Sequence, residues 1–207
     1  NDAHVHPFDT TAFPHAVKLN SALEFLPNAG PSLQDIVSLV QRGAVGNPPG
    51  TWLMSSIGTN VLEDPAANRF ILDQVAPNHP VLLASWFGHG TIINTAAMRT
   101  VGVSEEPENP FAGGWERVPG SKVTTGVARE YAEHQLRRYF ASQMTDAAYR
   151  TLYEPLAAGA AQVGYTSIQE FSVGVPQRRH LDLLSKSDIP IRWRAICFPL
   201  SLEESCD

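Results

Sequence analysis

Short apolar runs bounded by glycine and proline alternate along this chain with segments of helical periodicity. This alternation is typical of parallel strands joined by crossover helices, so it predicts the α/β class. One predicted strand holds His4, and four more lie over residues 52–57, 81–86, 165–172 and 189–198. The intervening helices are predicted over residues 33–42, 65–78, 91–98, 127–141, 145–161 and 177–185.

Two architectures satisfy this order of elements: a doubly wound open sheet and a parallel (β/α) barrel of TIM type. No glycine-rich phosphate-binding motif follows a predicted strand, which removes the usual nucleotide-binding reason for the open sheet. We therefore favour the barrel, with about five strands present. Residues 103–163 are far longer than a usual connection and open with a segment rich in proline and glycine, so we predict a helical insertion there, after the third βα unit.

Composition and charge exclude several classes of protein. Hydrophobic residues make up 43% of the 207 residues and charged residues 17%, which is ordinary for a globular chain. The net charge of -6 comes without a basic stripe, so we expect neither a nucleic-acid partner nor a membrane partner, and by default a cytoplasmic location. Two cysteines are too few for a disulfide scaffold, and we predict that Cys197 is buried on the last strand.

Two histidines, His4 and His6, stand one residue apart near the start of the chain. In an extended strand, residues i and i+2 project to the same face, so both imidazoles can reach a single metal ion. Zinc accepts imidazole nitrogen readily, and a catalytic zinc site keeps one position for water. The spacing therefore predicts a metal site at the end of the first strand, with a solvated surface pair as the alternative.

Further short motifs occur in a fixed order along the chain. They are Asn1-Asp2-Ala3-His4-Val5-His6, Leu72-Asp73, His79-Pro80-Val81, Gly88-His89 with Asn94 and Ala97, Gly113-Gly114 with Arg117 and Gly120, Thr125-Gly126-Val127 with Glu130 and Ala132, and Gly164-Tyr165-Thr166-Ser167-Ile168-Gln169-Glu170. In this order and spacing the chain resembles the metal-dependent amidohydrolase superfamily. The resemblance is to its amidohydrolase-3 branch, which includes N-substituted formamide deformylase-like proteins.

The resemblance implies a (β/α)8 barrel beside a small β-sandwich, with a divalent metal, usually zinc, at the barrel mouth. It implies that His4 and His6 are metal ligands and that the substrate is a small-molecule amide. The chain departs from the family pattern because no histidine follows His180, so the later-strand ligands are absent. We therefore expect that residues 1–207 are the first part of a barrel without its β-sandwich, and that the chain self-associates or lacks a C-terminal half.

Three more residues are candidates for the site. Glu170 ends a predicted strand and is a candidate metal ligand and catalytic carboxylate, although it can instead pair with Arg178 or Arg179. His89 lies between two glycines after the third predicted strand, where it can bind substrate or act in catalysis. Asn94 can position that loop for substrate or simply cap the next helix.

The predicted insertion adds two candidate substrate contacts, Arg117 and Trp115. In the family this region covers the barrel mouth, so both side chains are expected to line the substrate pocket. For Arg117 and Glu130 the competing interpretation is an ordinary surface salt bridge. For Trp115 it is a position in the hydrophobic core.

Two functions from different classes follow from these observations. The first is a metal-dependent hydrolase of C–N bonds in amides or formamides. The alternative is a non-catalytic half-barrel that acts as a binding or assembly module, since an open parallel sheet leaves its edge strands unpaired.

Overall fold

A computed structural model of the chain describes residues 16–21, 24 and 29–206 in full and residues 2–5 as backbone. The chain divides into two compact units. We call the first the parallel unit, comprising Asn1–Pro14 and His134–Asp207, and the second the mixed unit, comprising His15–Glu133. Each unit has its own sheet among the described residues.

The mixed unit contains a six-stranded sheet in the order β2-β3-β4-β5-β7-β6. Its strands are β2 (Val17–Lys18), β3 (Leu53–Ile57), β4 (Val81–Ser85), β5 (Gly90–Ile93), β6 (Gly113–Arg117) and β7 (Thr124–Glu130). Strands β2, β3 and β4 pair in parallel, whereas β4, β5, β7 and β6 pair antiparallel. The sheet is therefore mixed in strand direction.

Four helices of the mixed unit connect these strands: α1 (Leu33–Gly46), α2 (Thr59–Leu62), α3 (Arg69–Val75) and α4 (Thr95–Val101). Helix α1 begins where the sequence predicts, because Ser32 and Asp35 form a reciprocal capping box. One continuous apolar core joins α1 and α3 to the sheet. Its buried side chains include Ile36, Val40, Leu53, Ile57, Leu72, Val81, Leu83, Ile92 and Val127.

A buried arginine, Arg69, connects helix α3 to other segments of the mixed unit. The Arg69 side chain, at the start of α3, is only 5% exposed and pairs with Glu105, whose side chain is 59% exposed. Its guanidinium also donates to the carbonyl oxygen of Thr124 at 3.0 Å and to the Thr95 hydroxyl at 2.9 Å. This arginine therefore connects three segments that are distant in the sequence.

The parallel unit contains a three-stranded sheet in the order β1-β8-β9, and every pairing in it is parallel. Its strands are β1 (Asp2–Val5), β8 (Ser167–Phe171) and β9 (Arg192–Ile196). Helix α5 (Tyr131–Ser142) begins just before the unit boundary, and α6 (Asp146–Gln162) and α7 (Gln177–Ser185) follow it. Helix α7 links β8 to β9, so these elements form a βαβ unit of the predicted kind.

One face of the three-stranded sheet packs against the helices. Ile168 on β8 clusters with Ala157 of α6, and the ring of Trp193 on β9 lies 5.8 Å from the ring of Tyr153. Because successive strand residues alternate between faces, Ile168 and Glu170 share the helix-covered face of β8. Their burial agrees, since both are buried while Gln169 between them is half-buried.

The α/β class is confirmed, but the prediction that all five strands belong to one parallel sheet is wrong. Strands β3 and β4 lie in the mixed sheet, and only β1, β8 and β9 form the parallel one. The segment predicted as a helix over residues 91–98 begins with strand β5. The turn between β4 and β5 has only four residues, which is too short for a parallel crossover, so β5 pairs antiparallel with β4. Closure of the parallel strands into a barrel stays a prediction.

The predicted insertion at residues 103–163 is divided in the structure. Its first part supplies β6 and β7 to the mixed unit, and its second part supplies most of α5 and α6 to the parallel unit. The helix predicted over residues 127–141 is in fact the end of β7 followed by α5. A single apolar pattern continues across the boundary between β7 and α5, so periodicity alone does not show where the strand ends and the helix begins.

Two smaller findings concern the cysteines and the membrane. Cys197 lies just after β9, partly exposed, and forms a disulfide with Cys206, so the prediction of a buried strand cysteine is wrong. Among the described residues, none of the helices combines the length and hydropathy that a membrane span requires.

Candidate functional site

The strand that carries the predicted metal ligand His4 lies at an edge of the parallel sheet. Its Val5 is in register with Glu170, so the carboxyl ends of β1 and β8 lie side by side. The carboxyl ends of parallel strands are where α/β enzymes place their active sites. The predicted strand position of His4 is therefore confirmed, whereas His6 falls outside the described residues.

The metal site itself stays a prediction. Within the part of the chain that the structure describes, no three histidine, cysteine, aspartate or glutamate side chains converge as a metal site. The side chains of His4 and His6, the two donors that the sequence predicts, lie outside the described part of the chain.

Glu170 is fully buried and contacts two side chains of its own unit. Its Oε2 accepts a hydrogen bond from the indole nitrogen of Trp193 at 2.9 Å and lies 3.0 Å from Nε2 of His180. Arg179, one of the two arginines that the sequence offered as a partner, instead pairs with Asp146. We call Glu170 and His180 the buried pair.

The surroundings of Glu170 bear on its predicted role. It lies on the sheet face covered by α6 and α7, and both residues of the buried pair are 0% exposed. A metal ligand at a barrel mouth instead needs access to the end of the strand. These contacts favour a structural role for Glu170 over the metal and catalytic roles that we predicted.

His89 lies in the turn that joins β4 to β5 in the mixed unit. Its backbone N–H donates to the Ser85 hydroxyl at 3.2 Å, and Gly88 takes the left-handed conformation with φ of 79° that the turn requires. The rings of Phe87 and His89 stack with centroids 6.3 Å apart. The turn thus holds a mostly exposed imidazole in a defined position.

Glu130 is the partner of His89. Imidazole Nδ1 lies 3.2 Å and 3.3 Å from the two carboxylate oxygens of Glu130, which ends β7. The side chains are 64% and 49% exposed, respectively. We call His89 and Glu130 the exposed pair.

Asn94 is occupied by structural contacts. Its side-chain oxygen accepts from the backbone N–H groups of Val81 and Ala97, both at 2.9 Å. Its amide nitrogen donates to the carbonyl oxygens of Ala76 and His79. The side chain is fully buried, so its contacts favour the capping of α4, and a substrate role for Asn94 stays a prediction.

The other two candidates belong to the β6–β7 hairpin. Trp115 is buried with 5% exposure, which favours the core position over a pocket wall. The Arg117 guanidinium donates to the carbonyl oxygens of Pro107 and Lys122 and to the side chain of Asn109, so it holds neighbouring loops together. Substrate roles for Trp115 and Arg117 stay predictions that these contacts do not favour.

The predicted residues thus fall into two groups. His4 and Glu170 belong to the parallel unit, whereas His89, Asn94, Trp115 and Arg117 belong to the mixed unit. Sequence analysis missed the two histidine–glutamate partnerships, because Glu130 follows His89 by 41 residues and no local pattern links them. The one sequence signal for these partnerships is a histidine near the end of a predicted strand, together with carboxylates elsewhere in the chain.

A cleft of about 540 Å³ opens beside the amino-terminal ends of strands β3 and β4 in the mixed sheet. It lies beside Trp52 and Pro80, which precede β3 and β4, and Arg99 of α4 also borders it. None of the predicted site residues lines this cleft.

Comparison with known proteins decides the family. A model of the amidohydrolase family matches residues 1–196, which is nearly the whole chain. The chain belongs to the amidohydrolase family. The resemblance seen in the sequence motifs is therefore confirmed, and it includes the strand that carries His4 as well as the exposed pair.

Individual relatives are more distant. The chain is 30% identical over 107 residues to the N-substituted formamide deformylase of Arthrobacter pascens; the match covers 51% of this chain and 20% of that protein. The chain thus spans about a fifth of the length of this curated relative. Two solved structures of uncharacterized metal-dependent hydrolases, from Pyrococcus horikoshii and Pyrococcus furiosus, are also similar. They show 15% and 17% identity, cover 95% and 94% of this chain and 35% and 36% of their own, and give TM-scores of 0.49 and 0.46.

Proposed function

We propose that this amidohydrolase-family chain is part of a metal-dependent hydrolase that cleaves C–N bonds of small amides or formamides. The observation that carries the proposal is the position of His4. It lies on a parallel edge strand beside the carboxyl end of β8, in a segment that the family model covers. The partial similarity to an N-substituted formamide deformylase supports the amide substrate class.

The donor chemistry of this segment fits a divalent cation such as zinc. His4 and His6 would hold the ion through neutral imidazole nitrogens, and the parallel pairing of β1 with β8 holds the backbone of Asp2–Val5. A bound ion supplies activation of water and polarisation of a carbonyl oxygen. Further ligands would have to join His4 and His6, since the described residues do not form a three-donor cluster by themselves.

Other residues of the chain would bind and orient the substrate. His89 is the best placed of the candidates, because its imidazole is exposed and held by the Glu130 carboxylate. Glu170 would support the sheet from behind through Trp193 and His180. The substrate is thus expected to meet polar groups presented by turns, while the buried carboxylate fixes the scaffold.

The test is metal content and turnover of the intact gene product that contains residues 1–207. We expect stoichiometric zinc or another divalent metal and hydrolysis of members of a panel of N-formyl and N-acyl amines. His4→Ala and His6→Ala should each lower turnover at least about 100-fold and release metal. The matched control is His15→Ala, which removes a histidine outside the predicted site and should change neither value.

A specific observation supports the assembly alternative. Strands β1 and β9 each have a single hydrogen-bonded neighbour among the described residues, so each presents an edge to another chain or segment. Tight association without metal and without turnover would favour that function and contradict the hydrolase proposal.

A further inference from the structure

The cleft of about 540 Å³ in the mixed unit lies at the end of β4 opposite to the turn that holds His89. Its volume is within the range of clefts that bind small molecules. All of its lining residues belong to the mixed unit, and none is a predicted metal ligand. Active sites of α/β folds lie at the carboxyl ends of the strands, so we consider this cleft as a binding site and not as part of the proposed reaction.

Hydrogen bonds fix the segments that form the walls of the cleft. The backbone N–H of Gly50 donates to the carbonyl oxygen of Asn78 at 2.8 Å. The backbone N–H of Leu53 donates in the same way to Pro80 at 2.9 Å. The buried Asn94 side chain caps helix α4 and also donates to carbonyl oxygens of the loop before β4. A cleft with walls held in this way loses little conformational entropy when a ligand binds.

Two side chains give the cleft its chemical character. Trp52 is half-buried just before β3, and Arg99 is exposed in the last turn of α4. Arg99 is the one charged residue among those that line the cleft, all of which the structure describes. An indole packs well against another aromatic ring, and a guanidinium pairs through two parallel hydrogen bonds with a carboxylate.

The hydrogen-bond donors of Arg99 are available to a ligand. The hydrogen bond from Arg69 is the main cause that lowers the pKa of the Glu105 carboxyl, and the positive charge of Arg99 adds to it. Both oxygens of Glu105 accept hydrogen bonds from Arg69. Within the described part of the chain, no hydrogen bond joins the Arg99 guanidinium to another residue. Its N–H groups can therefore pair with a bound anion.

We propose that this cleft binds a small aromatic carboxylate, whose ring packs against Trp52 and whose carboxylate pairs with the Arg99 guanidinium. The lining offers a cation and no carboxylate, so it selects an anion over a neutral compound. The indole and the three prolines of the lining favour a ring over a short aliphatic chain. Such binding needs neither metal nor turnover, so it is independent of the proposed function.

The test is an NMR titration of the ¹⁵N-labelled intact gene product that contains residues 1–207. Phenylacetate should bind with a Kd of about 1 mM or below. It should shift the amide resonances of Gly50 and Thr100, and it should leave that of His89 unchanged. 2-Phenylethanol keeps the ring without the charge, and acetate keeps the charge without the ring. Each should bind at least about 10-fold more weakly than phenylacetate.

Variants of the two side chains test their separate contributions. Arg99→Gln should weaken phenylacetate binding at least about 10-fold, with an unchanged melting temperature because the side chain is exposed. Trp52→Leu should bring the affinities for phenylacetate and acetate to within about 3-fold of each other. The matched control is Arg42→Gln, which removes an exposed arginine of α1 that does not line the cleft. It should bind phenylacetate as the parent does.

Several results would overturn the proposal. They are equal phenylacetate affinity of the parent and Arg99→Gln, equal affinity of the parent for phenylacetate and 2-phenylethanol, and shifts confined to residues outside the cleft. Absence of saturable binding up to about 10 mM phenylacetate would overturn it as well. An equal loss in Arg42→Gln would show that the overall charge, and not the cleft, attracts the carboxylate. If Trp52→Leu does not fold, the comparisons with Arg99→Gln and with 2-phenylethanol still decide.

Discussion

The two units present the same chemical pairing in opposite surroundings. In the parallel unit, His180 lies 3.0 Å from Glu170, and both side chains are 0% exposed. In the mixed unit, His89 lies 3.2 Å from Glu130, with exposures of 64% and 49%. Distance is nearly equal, so burial is what distinguishes the two pairs.

Burial changes what a histidine–glutamate pair contributes. A buried charged or polar group has lost its water, and removal of one partner leaves the other poorly compensated. Removing one partner of an exposed pair costs little stability, because water takes the place of the removed side chain. We therefore expect the buried pair to contribute strongly to stability and the exposed pair to contribute little.

The Arg69–Glu105 ion pair of the mixed unit lies between these extremes. Arg69 is 5% exposed, whereas Glu105 is 59% exposed. The hydrogen bond from Arg69 holds the pKa of the Glu105 carboxyl below its ordinary value of 4.5. The three pairs therefore differ in burial, and comparing them tests the effect of burial on stability.

The largest effect is expected from the buried pair. His180→Ala should lower the free energy of unfolding by about 3–5 kcal/mol, because it leaves a cavity and removes a partner of a buried carboxylate. Urea denaturation gives the magnitude. Hydrogen exchange should show faster opening of β8 and β9, with β3 and β4 of the mixed unit unaffected.

The double variant Glu170→Met with His180→Leu is the control for this prediction. It replaces both polar groups by apolar ones of similar size but also removes the acceptor of the Trp193 indole N–H, so it should recover part of the loss. If His180→Ala costs less than about 1 kcal/mol, the buried pair is not a stabilising element and the contrast between the units fails.

An intermediate effect is expected at Glu105, and it depends on pH. Because the folded-state pKa of Glu105 is lowered, its contribution is fully present above pH 4.5 and is lost as the pH falls through the folded-state value. Glu105→Gln should therefore cost about 1 kcal/mol or less at neutral pH, and the difference from the parent should vanish in acid. Thermal unfolding across this range measures both.

Glu106→Gln provides the comparison for that experiment, since it removes an exposed carboxylate one residue away. Its stability curve should follow the parent at every pH. A pH-independent loss in Glu105→Gln would mean that packing rather than charge accounts for the effect.

The smallest effect on stability is expected from the exposed pair. His89→Ala should change the free energy of unfolding by no more than about 0.5–1 kcal/mol, because the imidazole is largely solvated. Calorimetry measures the change. A loss as large as that of His180→Ala would place the exposed pair among the structural contacts and remove the reason to assign it to a ligand.

Local signals in the sequence predicted many of the elements. The capping box of Ser32 and Asp35 marks the start of α1, and α7 lies over residues 177–185 as predicted. The strand with His4 was also correct. Strands β2, β5, β6 and β7 were not predicted. In β5 and β7, β-branched residues run almost directly into a helix, so that one apolar pattern covers two elements.

Strand partners and side-chain partners could not be predicted in the same way. Nothing local says that Val5 lies in register with Glu170, or that β3 and β4 enter a different sheet from β1. For Glu170 the sequence offered a metal ion or a nearby arginine as partners, and it did not suggest His180, which helix α7 turns toward the sheet.

The sequence by itself determined the family, the class of fold and the strand that carries the first histidine, since motif order, caps and periodicity are written within a few residues of one another. Only the tertiary structure decided which strands share a sheet and which histidine meets which carboxylate. Those contacts join residues far apart in the chain, and their burial depends on how whole elements pack. That burial is what gives two similar pairs different physical consequences.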